Sequence, residues 1–160
     1  MKKVLLTLAF VLTIFVTGFA QKSYTWNQKV EITVVDGMTV QESTDNYVVV
    51  GNDNVAIEII PYEDDELADM TSEDYEEAFE DMADEIGADL SQAETMEFQC
   101  KNGEGRFIVA PIKDKDNVMG LLAIAGSKTS SNLGICAAGV MTESEAEKAG
   151  QILGGITFKK

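Results

Sequence analysis

Leu121-Leu122-Ala123-Ile124-Ala125 and Ile135-Cys136-Ala137-Ala138 decide the fold, because neither run alternates apolar with polar residues. A strand that is apolar on both sides is covered on both faces and belongs near the middle of a sheet. The two runs sit in longer segments, Val118 to Ala125 and Leu133 to Met141, around a Ser/Thr-rich stretch at 127–131, and so read as a hairpin. Upstream, Glu94 to Cys100 and Arg106 to Ile112 flank Lys-Asn-Gly-Glu-Gly and predict a second hairpin. Tyr47 to Val50 and Val55 to Ile60 flank Gly51-Asn52-Asp53-Asn54, which is turn chemistry, and predict a third. Pro61 should close that strand, since proline cannot donate to a central ladder. Val30 to Val35 is a first strand with Asp36-Gly37 as its exit, and Met38 to Gln41 is a further short run.

Two segments change period. Residues 63–85 hold 13 acids and no base, yet Tyr75, Phe79, Met82 and Ile86 recur at spacings of four, three and four. That spacing makes one apolar stripe of an amphipathic helix. Thr71 with Asp74 is a capping pair and Gly87 a left-handed stop, so the helix is predicted over 72–86. Thr142 with Glu145 repeats the capping signature and opens a second helix to about Leu153, ended by Gly154-Gly155 before Ile156-Thr157-Phe158. The expected class is α+β, a twisted antiparallel sheet flanked by two helices, in a single globular domain over 21–160.

Residues 1–20 carry Lys2 and Lys3, then an apolar run from Val4 to Phe19 and small residues at Gly18 and Ala20. This is the pattern of a signal peptide cleaved after Ala20, and it predicts a secreted or periplasmic protein with no membrane attachment once the peptide is removed. The whole chain of 160 residues has a formal charge of −16; without Lys2 and Lys3, 10 basic side chains face 28 acidic ones, or about −18. Such a charge repels phosphate backbones, so nucleic acid is not an expected partner. The chain has no His, which removes Ser-His triads and His-zinc sites, and Arg106 is its only Arg, which removes a multi-Arg anion clamp.

Few motifs carry chemistry. Glu73, Glu77, Glu80, Asp81, Asp84 and Glu85 form an acidic helix face that could attract a basic partner or loosely held Ca²⁺, or simply be the solvated side of a helix. Asp114 to Gly120 lacks the ligand spacing of a calcium loop. Gly126-Ser127-Lys128-Thr129 is not a phosphate loop, because Ser127 separates Gly from Lys and a strand follows. Cys100 and Cys136 are either a stapling disulfide or two free thiols acting as small hydrophobes. Trp26, in Ser-Tyr-Thr-Trp-Asn, is a ligand platform or the pin of an edge strand. Carboxylates are so abundant that no spacing singles out a hydrolytic pair.

A strand leading into Val35-Asp36-Gly37-Met38-Thr39-Val40, and a closing helix running through Gln151-Ile152-Leu153 into Ile156-Thr157-Phe158, resemble the PsbP/Mog1-like group over most of residues 28–159. The resemblance implies an α/β/α sandwich whose members are mostly non-catalytic binding or assembly factors, and it carries over no functional residues. The expected function is a non-catalytic binding or assembly module, a monomer or weak dimer, with no cofactor and no resident metal. A carboxylate-based hydrolase is the alternative, and low-affinity divalent cation binding by the acidic helix a weaker one.

Overall fold

A computed structural model describes residues 23–65 and 69–160. The expected signal peptide lies outside the described residues. Ten strands form: β1 (Ser23–Trp26), β2 (Val30–Thr33), β3 (Thr39–Ser43), β4 (Val48–Asn52), β5 (Val55–Glu63), β6 (Thr95–Cys100), β7 (Gly103–Pro111), β8 (Val118–Ser127), β9 (Leu133–Thr142) and β10 (Ile156–Phe158). Two helices, α1 (Ser72–Ile86) and α2 (Ala146–Gly154), complete the described elements longer than one turn.

Seven strands make one sheet in the order β3-β4-β5-β9-β8-β7-β6, and three make another, β1-β2-β10. All neighbours are antiparallel. The non-alternating runs lie on β8 and β9, in the middle of the larger sheet, and every residue of the two runs except Cys136 is buried. At its β6 edge the larger sheet passes to the smaller one through Lys101, which receives the amide of Phe158 (3.0 Å) and donates to the carbonyl of Ile156 (3.2 Å). The small sheet then folds back over one face. Its far strand, β1, returns to the β3–β4 turn, where the Tyr24 hydroxyl donates to the Thr44 carbonyl (2.7 Å) and Trp26 Nε1 to the Asp45 carbonyl (2.9 Å).

Two apolar cores result. The larger lies inside this wrap and joins Ile32, Ile57, Ile135, Ile152, Ile156 and Phe158, each almost fully buried. The smaller lies under α1, where Phe79, Met82 and Ala83 meet Ile108, Leu122, Ile124 and Ala138. The expected α+β class, a twisted antiparallel sheet flanked by two helices, is therefore overturned, and with it the α/β/α sandwich implied by the resemblance. The protein is β-rich, and the face opposite α1 is covered by a second sheet together with the nine-residue α2.

Local chemistry explains the elements. Thr71 and Asp74 form a reciprocal capping box at the start of α1, and Gly87 ends it at φ 72°, a left-handed conformation that costs glycine nothing. Thr142 makes no such cap. Its hydroxyl contacts the Ser144 hydroxyl (3.1 Å) instead, and residues 143–145 form a 3-10 turn before α2 begins. Pro61 does not close β5, which continues to Glu63. The β4 partner has already ended at the Val48–Ile59 pair, so proline sits where β5 is bonded on one side only.

Candidate functional site

The α1 face of the large sheet can be read row by row from the strand register. One row runs Glu42, Val49, Glu58, Ala138, Leu122, Ile108, Thr95 across all seven strands. Helix α1 covers Ala138, Leu122 and Ile108. The other end of the row is bare. Val49 is half-buried but belongs to neither core, and Glu42 is exposed beside it. The neighbouring Ala56 is half-buried outside both cores as well, whereas Ile60 and Val140 pack against the core under α1. The sheet thus presents a small apolar strip between the flank of α1 and the β3 edge.

Carboxylates frame the strip. Burial, then the charges of Glu42 and Glu85, push the Glu58 carboxyl above its ordinary range. Burial, then Asp81, does the same to Glu85 near the end of α1. The Tyr47 hydroxyl donates to Glu42 (2.5 Å) at the outer rim. All six acids singled out in the sequence, Glu73, Glu77, Glu80, Asp81, Asp84 and Glu85, are exposed on α1. They continue the negative field from the strip along the helix. Glu80 and Asp84 also line a shallow cleft with Ala83, Ala88, Leu90 and Lys113. Glu58 and Glu85, whose carboxyls are raised, both lie outside that cleft, so it does not supply the raised carboxyl that glycoside hydrolysis requires. Among the described residues no three His, Cys, Asp or Glu side chains converge as metal ligands would. Among the same residues no helix is long and apolar enough to cross a membrane.

The cysteines do not meet. Cys100 is on β6 and Cys136 on β9, with β7 and β8 between them, and both are free. Three strand spacings amount to about 14 Å, twice the reach of a disulfide between Cα atoms. They also serve different cores, Cys100 the larger and Cys136 the one beneath α1. Burial pushes both thiols up to about 11, against the weaker pull of Lys128 on Cys100 and of the Tyr62 hydrogen bond on Cys136.

No family model and no curated protein matches the chain. A solved structure from Bacteroides thetaiotaomicron VPI-5482 is similar to it, with a TM-score of 0.57 and 9% identity over 89% of this chain and 50% of that one. The chain therefore spans about half the length of that neighbour. The likeness concerns the path of the backbone alone.

Sequence reasoning located the acids of α1 but missed Glu42, Val49 and Glu58. The signal for Glu58 was its place between Ile57 and Ile59, which an alternating strand turns to the opposite face. Which face stays bare depends on how far α1 reaches, and that is tertiary information.

Proposed function

We propose that the chain is a non-catalytic binding module, exported from the cytoplasm, that takes a basic protein partner on the face shared by α1 and the β3–β5 part of the sheet. One observation carries the reading: the row Glu42–Val49–Glu58 leaves the half-buried Val49, with Ala56 beside it, outside both cores and sets carboxylates around them. Apolar surface in the centre of a patch supplies affinity when water leaves it, and a charged surround supplies orientation and a fast encounter. The partner that fits offers apolar side chains flanked by Lys or Arg.

The test uses residues 21–160 and a synthetic peptide of alternating lysine and valine. Saturable binding that weakens as salt rises is expected, with Glu58→Lys weakening it further by about tenfold. Glu147→Lys, on the exposed side of α2, should leave it unchanged. Equal losses in the two variants would reduce the attraction to net charge and overturn the reading.

A further inference from the structure

We infer that the cleft between β1 and the β3–β4 turn is a binding site for a neutral, polyhydroxylated ligand, a saccharide. It lies away from the α1 face and does not depend on the reading above. The cleft is open to solvent, holds about 520 Å³ and lies between residues 23–27 and residues 43–45. That volume falls inside the range of ~300–1,000 Å³ usual for small-molecule sites. The lining departs from the usual apolar one, and the departure selects the ligand.

Four hydroxyl or amide side chains, those of Ser23, Thr25, Asn27 and Ser43, offer donors and acceptors together, as a polyol needs, while the Thr44 hydroxyl is taken up by the backbone of Asn46 and Tyr47. Among the described residues no Lys or Arg lines the cleft, so an anionic phosphate or carboxylate finds no counter-charge among them. Among the described residues Asp45 is the single carboxylate there, an acceptor for hydroxyl donors and too few for a hard cation. Trp26, half-buried against the larger core, adds an amphipathic ring whose exposed part can meet the C–H face of a sugar. Its indole is already fixed by the bond from Nε1 to the Asp45 carbonyl, and the floor by the bond from Tyr24 to Thr44, so little ordering remains for the ligand to impose.

The arrangement also has topological meaning. β1 ends one side of the ten-strand wrap and β3 the other, and only these two side-chain bonds span the seam among the hydrogen bonds of Tyr24 and Trp26. β1 alternates, so Tyr24 and Trp26 turn toward the core and Ser23 and Thr25 to its other side, and the cleft lies at this strand end.

Trp26 is the only tryptophan of the chain, so tryptophan fluorescence reports on this cleft alone. Residues 21–160 are titrated with maltotriose, cellotriose and tri-N-acetylchitotriose, and separately with a neutral Ser/Thr-rich peptide. A saturable change with at least one trisaccharide is expected, weakened about tenfold or more by Thr25→Arg, which fills the cleft from an exposed position. Ser43→Arg enters from the opposite wall and serves as the second variant, and the melting temperature of each identifies a misfolded one. A saturable change with the peptide and none with the sugars would assign the seam to an extended chain and overturn the proposal. No change with any trisaccharide in the millimolar range, or binding that both filling variants leave intact, would overturn it too.

Discussion

The guanidinium of Arg106 on β7 lies 4.7 Å from the centre of the Tyr75 ring on α1, and its Nη1 donates to the Ser72 hydroxyl at 3.3 Å. The only arginine of the chain is thus spent on holding the first turn of the acidic helix to the sheet. A cation above an aromatic ring contributes about 0.5–1 kcal/mol where solvent reaches it. Arg106→Ala should therefore lose about 1 kcal/mol in urea unfolding. Arg106→Lys should recover only part of this, since an ammonium cannot lie flat on the ring and reach Ser72 as a planar guanidinium does. Full recovery by lysine would show that charge alone matters there.

Phe79 is the largest side chain of the smaller core and is 1% exposed. Phe79→Ala removes a ring that relaxation cannot replace, and such truncations cost about 3–5 kcal/mol. Glu77→Ala on the solvent side of the same helix should stay within about 0.5 kcal/mol of the parent. Comparable losses in the two variants would place the stripe in solvent.

Cys100 and Cys136 should behave as two slow thiols. With both thiols pushed up to about 11 by burial, thiolate is scarce near neutral pH. A thiol-specific chromogenic reagent should titrate both cysteines promptly in denaturant and hardly at all in the folded protein. Reduction should leave the mass and the melting temperature unchanged. A gain of two mass units on reduction would require the strands β6 and β9 to meet, contrary to the sheet order.

What the sequence made legible was local. Helix α1 has its cap, its stripe and its stop within 17 residues, Thr71 to Gly87, and β8 and β9 show their central position by being apolar on both sides. The edge strand pinned by Trp26 was legible, but the pairing of the small sheet was hidden because its pieces are far apart in the chain, Ile32 pairing with Ile156. The hairpin of β1 and β2 turns through Asn27 and Gln28 at φ 45° and 58°, and glutamine there gives no turn signal. The seam cleft depends on residues some 20 positions apart converging, and the bare strip depends on the reach of α1. Both arise from tertiary closure, which no local pattern announces. Thr142 failed as a cap for a related reason: the residues after it could close a tighter turn first.

Glu58→Gln should stabilise the protein at neutral pH and lose that advantage in acid. Burial, then Glu42 and Glu85, hold the Glu58 carboxyl above its ordinary value of 4.5. A carboxyl raised in the folded state binds its proton more tightly there than in the unfolded chain, so ionising it opposes folding. The penalty is absent below the unfolded value, grows as pH rises through the folded one, and is complete above it. Glutamine never ionises, so urea midpoints of variant and parent should separate at neutral pH and converge below the carboxylate range. Part of the gap should also close in salt, because the share due to Glu42 and Glu85 is screened while the share due to burial is not. Asp74 supplies the opposite sign as a control. The backbone N–H and then the hydroxyl of Thr71 lower its carboxyl, so its contribution is present above 3.8 and is lost as pH falls. Asp74→Asn should accordingly weaken the protein at neutral pH, and the deficit should shrink in acid. If the two variants shift stability in the same direction at neutral pH, Glu58 is a well-solvated carboxylate and the bare strip is not the partly desolvated surface described above.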